Sequence, residues 1–342
     1  MNKKNNILVA GIAGASLGSE IAKCLKLAGK YNIYGCDISE LAYGHFMPAF
    51  TETFVADNEN YVDSVIAICE KNDIRFIIPG GEIPTGILAK ENTKLKDKGI
   101  TLVSNSPAII EIFSDKKKTF EKLEELGCNV PLTIEVTKED DLDGMTYPCI
   151  VKPSSGTGGS DSVFLAANKE ECMVYVELLK RNGRKTIVQE YIALDEGEFT
   201  IGVLSLPNKE VIECVVMKRL FNSKLSVAYK SKYGLISSGY SQGLIGDFPQ
   251  LKEEAVKIAR AVGSTGPLNI QGRVKNGKLI PFEINPRFSA STYLRAKAGF
   301  NEIDCYLENL INKTETFDHQ LNYGYYLRSF EEVFIPLKQK IK

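Results

Sequence analysis

The chain begins as an alternation of short apolar runs and longer stretches whose apolar positions recur every three or four residues. Residues 7–10 form one such run, and Leu17, Ile21, Cys24, Leu25 and Ala28 follow at helical spacing, with Gly29 placed to end the helix. Residues 32–36, 53–56, 75–79 and 101–104 read as further strands, and helices fall near 60–71 and 84–96. Strand and helix in turn predict an α/β unit over residues 1–113, built on a doubly wound parallel sheet.

From Ser114 the rhythm changes. Ser114-Asp115 suits a helix start, and Phe120, Leu123 and Leu126 make an apolar stripe that stops at Gly127. A strand over 147–152 runs into Pro153-Ser154-Ser155-Gly156-Thr157-Gly158-Gly159-Ser160-Asp161. A helix over 169–181, a strand over 186–192 and antiparallel strands over 198–204 and 211–219 come next. Residues 223–246 are rich in Gly and Ser and read as a long mobile cover. A helix over 251–262 leads to a hairpin, and a closing helix follows Ile303. This pattern predicts α+β structure from Ser114 onward and a C-terminal tail over 313–342.

The hairpin, residues 268–285, carries the densest chemistry. Side-chain alternation puts Glu283, Asn285 and Arg287 on one face and Ile280, Phe282 and Ile284 on the other. A three-residue turn, Lys275 to Gly277 with Gly277 left-handed, is expected. That register joins Leu268 and Ile270 to the apolar set and adds Asn269, Gln271 and Arg273 to the polar one. An unpaired carboxylate resists burial, so Glu283 should line a cleft or hold a cation. A carboxylate and an amide oxygen two residues apart are hard ligands suited to Mg²⁺ or Mn²⁺. Pro286 holds Asn285 extended, and Arg287 is then placed to reach an anion beside the metal. An edge hairpin with a solvated polar face is the plainer alternative, which Pro281 permits.

Composition narrows the classes. The 42 basic and 43 acidic residues of this 342-residue chain give no electrostatic case for nucleic acid or an anionic membrane. The first apolar run is too short for a signal core or a membrane span, so a cytoplasmic protein is expected. Eight cysteines without a C-x-x-C pair suit buried thiols, and two distant histidines, His45 and His319, argue against histidine-based zinc or a Ser/His/Asp triad.

Other stretches suggest ligands. The turn from Gly11 to Gly18 departs from G-x-G-x-x-G at Ala13 and Ser16, which sets aside a dinucleotide site despite Asp37 at the next strand's end. Gly14 and Ser16 are instead expected to contact a substrate anion at the helix N-terminus. Glu82, after Pro79-Gly80-Gly81, stands where open α/β sheets bind ligands; it meets a substrate amine or caps the next helix. Lys152 followed by Gly156, Gly158 and Gly159 suits a phosphate cradle, although a flexible turn has the same composition. Lys218-Arg219 holds a carboxylate or phosphates, or is a solvated basic pair.

Taken together, Asp115-Lys116, Tyr147-Pro148 with Val151-Lys152-Pro153, Gln189-Glu190-Tyr191-Ile192, Glu198-Phe199-Thr200, and Gln271 followed by Glu283-x-Asn285-Pro286-Arg287 resemble the ATP-grasp superfamily, and most closely its carbamoyl-phosphate-synthase-like branch. The resemblance covers about residues 114–312 and implies two α+β subdomains there, 114–193 and 194–312, and the leading sheet resembles the domain that precedes ATP-grasp in that branch. It implies that Lys116 and Lys152 contact ATP phosphates, that Ser155, Gly156, Gly158 and Gly159 close over them, and that Glu190, Tyr191 and the Ile192 backbone bind adenine. By the same resemblance Glu198 meets the ribose, and Glu283 and Asn285 hold Mg²⁺ with Gln271 at a further ligand position. Arg287 neutralises the transferred phosphoryl group, aided by Lys218, Arg219 and Arg273.

The implied activity is an ATP-dependent ligase that phosphorylates a carboxylate and transfers the acyl group to an amine, amino-acid-like in character, releasing ADP and phosphate. Small-molecule substrates are the expected partners, and a homodimer is allowed. Bicarbonate or carbamate phosphorylation, and an ATP-binding sensor without turnover, are the alternatives.

Overall fold

Why β1 is apolar at successive positions follows from its place in the molecule. The computed structural model describes residues 4–14, 17–155 and 161–336. In it β1 (Asn5–Ala10), β2 (Tyr31–Asp37), β3 (Glu52–Val55), β4 (Phe76–Pro79) and β5 (Thr101–Leu102) form a parallel sheet in the order β3-β2-β1-β4-β5. Ile7 and Val9 pack with Ile21 and Leu25 of α1 (Leu17–Ala28), whereas Leu8 and Ala10 pack on the other face with Val65 and Ile66 of α2 (Tyr61–Lys71). A central strand buried on both faces has no polar side to show. Because β1 pairs with both β2 and β4, the carboxyl ends of β1 and β4 adjoin at the point where strand order reverses. A Cβ on Gly18 or Gly80 would collide with the backbone oxygen of Gly11, so these glycines let the two turns close on each other. Two helices, α3 (Glu82–Lys90) and α4 (Asn92–Asp97), occupy the stretch predicted as one.

Two short helices connect the sheet to the rest: α5 (Pro107–Phe113) and α6 (Lys116–Glu125). Asp115 caps α6, its carboxylate accepting from the Lys118 N–H at 3.1 Å. Four strands, β6 (Thr133–Glu135), β7 (Cys149–Pro153), β8 (Phe164–Ala166) and β9 (Thr186–Glu190), then form a sheet ordered β6-β9-β7-β8. The helix α7 (Lys169–Arg181) buries Cys172, Val176 and Leu179 against it, with Val151 and Val188 in the same cluster.

The larger sheet comprises β10 (Glu198–Ser205), β11 (Val211–Arg219), β14 (Gly243–Ile245), β15 (Pro267–Lys275), β16 (Lys278–Asn285) and β17 (Gly324–Tyr326), in the order β16-β15-β10-β11-β14-β17, backed by α8 (Pro249–Ala261). The segment expected to be a mobile cover instead contains a paired hairpin, β12 (Val227–Ser231) with β13 (Gly234–Ser237), before β14. α9 (Thr292–Lys297) and α10 (Glu302–Asn312) follow β16. The tail is not featureless: β17 adds to the sheet edge, and Arg328 donates to Glu20 at 3.1 Å.

The β15–β16 turn departs from expectation. Lys275 pairs with Lys278, leaving Asn276 and Gly277 as a two-residue turn with φ of 54° and 73°. The register is corrected farther in, where Gln271 faces Glu283 but Gly272 faces Pro281, so Phe282 is the extra residue of a bulge. The bulge leaves Ile270 opposite Ile284 in the core and turns Phe282 to the cleft, away from the apolar face assigned to it. Asn269, Gln271, Glu283 and Asn285 share the cleft face as expected. Among the described residues, no helix is long and apolar enough to cross a membrane.

Candidate active site

Two cavities meet at Lys116, Phe282 and Glu283, which line both. The smaller lies between the two antiparallel sheets, with Lys152, Glu190, Tyr191 and Ile192 on one side and Leu235 and Arg273 on the other. The larger, about 780 Å³, runs from Glu283, Asn285 and Arg287 to the carboxyl edge of the parallel sheet. A volume of this size is ordinary for a ligand pocket.

Lys152 stands at the end of β7 with its ammonium buried. Nζ donates to Gln189 Oε1 at 2.8 Å and to the Phe282 carbonyl at 3.2 Å. Burial, then the charge of Lys116, pushes its pKa down to about 7, against an opposing pull from Glu283. Such a lysine is a cation held without a full counter-ion, which is what an incoming polyanion supplies. Gln189, which stands out in the sequence only as part of a motif, is the partner that aims it. The Lys116 backbone N–H donates to Ser154 at 2.7 Å, tying the start of α6 to the strand end beside Ser155, which bridges to Asp115.

On the opposite wall, Gln271 Nε2 donates to Glu283 Oε2 at 2.9 Å, and Gln271 Oε1 accepts from Arg219 at 3.5 Å. Gln271 therefore orients the carboxylate, and in this arrangement does not present its oxygen as the expected third ligand. Glu283 and Asn285 remain as oxygen donors on the cleft face. Among the described residues there is no cluster of three His, Cys, Asp or Glu side chains to enclose a metal. One carboxylate and one amide fit Mg²⁺ because that ion is usually held by one or two carboxylates plus substrate phosphates. Arg287 donates to Glu82 Oε1 at 2.8 Å and to Asn285 Oδ1 at 3.4 Å.

The sequence that builds these paired antiparallel sheets matches a family model. The ATP-grasp domain model matches residues 113–291.

The chain belongs to the ATP-grasp family. It is 26% identical over 254 residues to the arginine-specific carbamoyl phosphate synthase large chain of Bacillus subtilis, a match covering 69% of this chain but 22% of that protein. The chain thus spans less than a third of the curated large chains it resembles. Among solved structures, N5-carboxyaminoimidazole synthetase from Staphylococcus aureus complexed with ADP superposes with TM-score 0.72 at 18% identity, covering 93% of this chain and 81% of that one. L-amino acid ligase from Bacillus licheniformis superposes with TM-score 0.65 at 18% identity, covering 90% and 74%.

Within the ATP-grasp frame, several predicted residues are placed differently from expectation. Glu198 is fully buried, with Oε1 accepting from Arg219 at 3.1 Å and Oε2 from Arg273 at 2.9 Å, and it lines neither cavity. Both oxygens being engaged, it is not presented to a ribose. Arg219 also donates to Ser238 O at 2.7 Å, and Arg273 to Ile192 O at 2.6 Å and Leu235 O at 2.7 Å. The partners of the two guanidiniums are thus Glu198, Gln271 and backbone carbonyls. Lys218 lies over the Phe199 ring and also lines neither cavity.

Glu190 accepts from Lys275 at 2.6 Å and from the Leu132 N–H at 3.3 Å, which fixes the cavity's rim. Tyr191 accepts from the Leu235 N–H at 2.9 Å and lies under Arg273, pinning the β12–β13 hairpin over the smaller cavity. Gly14 lies in the turn against Tyr43 but does not line the larger cavity; Gly11 and Ala13 do. Asp37 accepts from the Ile12 N–H at 2.8 Å and so holds the same turn. Ser16, Gly156, Gly158 and Gly159 lie outside the described residues.

Proposed function

We propose that this chain is an ATP-dependent, ADP-forming ligase that joins a carboxylate to an amine. The observation that carries the reading is the meeting of the two cavities at Lys116 and Glu283, with Lys152 on one side and Asn285 and Arg287 on the other. In this reading the adenosine end of ATP occupies the smaller cavity beside Glu190, Tyr191 and Ile192, and the acyl and amine substrates occupy the larger.

In the first step a carboxylate oxygen attacks the γ-phosphorus as the bond to the β-phosphate oxygen breaks, giving an acyl phosphate and ADP. Lys116, Lys152 and Arg287 hold the phosphates in line and offset the charge on the moving phosphoryl group. When bound at Glu283 and Asn285, Mg²⁺ supplies further charge neutralisation on the phosphates. In the second step a neutral amine attacks the acyl carbon and the carbon–oxygen bond to phosphate breaks. The amine proton leaves with the phosphate, so the products are an amide, ADP and hydrogen phosphate. The hairpin held down by Tyr191 and Arg273 covers the adenosine end, and residues 238–241 just after it line the larger cavity, where they shield the acyl phosphate from water.

The test is ADP release from ATP and Mg²⁺ across pools of carboxylic acids and amines, with mass spectrometry of the products. The expected result is ADP release requiring one acid and one amine, with a product lighter by one water than their sum. ADP release driven by bicarbonate alone, without a condensed product, overturns the carboxylate–amine assignment. ATP binding without turnover in any pool overturns the enzyme reading.

A further inference from the structure

The larger cavity has a wall that phosphoryl chemistry does not use. Ile38, just past β2, and Ile83 and Ile87 on α3 line it, and they are 51%, 76% and 37% exposed. A single exposed isoleucine is ordinary, but three on one concave wall, with Pro84 and Tyr61 beside them, form an apolar surface open to a ligand.

The charges around the cavity are distributed unevenly. Its wall on the parallel-sheet side contributes two carboxylates, Asp37 and Glu82. Among the described lining residues the cations are Lys116 and Arg287, both on the side of Glu283 where the phosphates of ATP are proposed to lie. The Asp37 oxygens each accept one backbone N–H, from Ile12 at 2.8 Å and Ser39 at 3.1 Å, and Glu82 Oε1 accepts from Arg287. Every one of those oxygens keeps capacity for a further donor. Among the described residues of this wall a substrate with its own phosphate would find no cationic side chain, but two acids, three isoleucines and the backbone of Gly11, Ala13, Gly80 and Gly81. An amine on an apolar body, its N–H groups donating to these carboxylates, would meet complementary groups on both counts.

We infer that the amine substrate seated against the parallel sheet carries an uncharged apolar side group, as in an aliphatic or aromatic amino acid or an alkylamine, and carries no phosphate. This inference rests on the ligase reading above and names the substrate class of the same site.

The experiment uses the full chain with two readouts. Hydroxylamine traps an acyl phosphate as a hydroxamate without any amine substrate and so reports the first step alone. ADP release is then measured against glycine, leucine, phenylalanine, lysine, glutamate and a phosphorylated amino sugar. The expected result is a kcat/KM at least about tenfold higher for leucine or phenylalanine than for glycine, the order of gain for one well-filled apolar pocket. Ile83→Ser should bring that ratio close to one, and Ile83→Asp should shift preference toward lysine. Ile83 is an exposed side chain, and a ratio within one preparation does not depend on how much of it folds. A preference for glycine or the phosphorylated amine, or a ratio unmoved by Ile83→Ser, overturns the inference while hydroxamate formation leaves the ligase reading standing. Neither hydroxamate nor ADP from any acid overturns both.

Discussion

Arg287 and Glu82 meet across the cleft, Nη2 donating to Oε1 at 2.8 Å, although 205 residues separate them. Glu82 is the first residue of α3, at the switch point of the parallel sheet, and Arg287 follows the strand that presents Glu283 and Asn285. The pair links the wall proposed to seat the amine to the face proposed to hold the phosphates. Its position makes Arg287 responsive to what binds on either side.

Glu82→Gln tests that linkage. The Glu82 side chain is 38% exposed, so screening limits what the ion pair gives to the fold to about 1 kcal/mol or less. Thermal stability should change little. The amine KM should rise about fivefold, which corresponds to roughly 1 kcal/mol of lost binding. A KM that stays put while ATP affinity falls would assign Glu82 to nucleotide positioning instead.

Lys152 should make both stability and ATP affinity depend on pH. Its folded pKa of about 7 lies below the ordinary lysine value of about 10.4, chiefly through burial. Between these values the unfolded chain binds more protons than the folded one, so stability rises with pH there. The penalty is fully present below about pH 7 and is relieved as pH rises toward 10. Bound polyphosphate favours the charged form, so ATP binding should take up a proton near pH 8. Calorimetry in two buffers of different ionisation enthalpy measures that uptake, and Lys152→Met should remove it while weakening ATP about ten- to a hundredfold, the scale of a lost charged hydrogen bond. Identical apparent enthalpies in the two buffers would remove Lys152 from the nucleotide site.

Glu283→Gln keeps the shape and an amide oxygen that accepts from Gln271 but removes the one carboxylate of the proposed metal pair. Turnover should fall at least about a hundredfold, as when a principal charge-stabilising group is lost. Circular dichroism and the melting temperature should stay near wild type. Near-normal ADP release would reject the metal assignment.

Residues whose chemistry is local are legible in the sequence. Alternation along β16 places Glu283 and Asn285 on one face, and the run ending at Lys152 locates the cation beside the loop that follows. What is not legible depends on partners distant in sequence. Alternation alone favours the wrong turn at Asn276-Gly277, because the register is restored by a bulge at Phe282 that the apolar pattern cannot reveal. Ile38, Tyr61, Ile83 and Ile87 give no signal because each is unremarkable alone, and only strand order brings them to one wall. Lys218 and Arg219 look equivalent in sequence, yet Arg219 is buried on Glu198 and Lys218 lies over Phe199.

Glu198 separates a structural role from a ribose contact most cleanly. It is wholly buried between Arg219 on β11 and Arg273 on β15, and these guanidiniums reach on to Ser238, Ile192 and Leu235, so the triad fastens the hairpin and the segment after β9 to the large sheet. Burial already pushes the Arg219 pKa down, and the negative charge of Glu198 is what most strongly opposes that shift. Glu198→Gln would leave two buried cations without their counter-ion, a change that costs about 3–5 kcal/mol when a buried pair is broken. Urea denaturation should therefore show a lower midpoint with little change in slope. ATP affinity should fall only in proportion to the loss of folded protein and of hairpin order, and saturating ATP should recover part of the stability. A ribose contact predicts the opposite pattern, with an unchanged denaturation midpoint and affinity reduced for ATP but not for inorganic triphosphate. Comparing the two ligands on one variant thus decides whether Glu198 touches nucleotide or holds the frame around it.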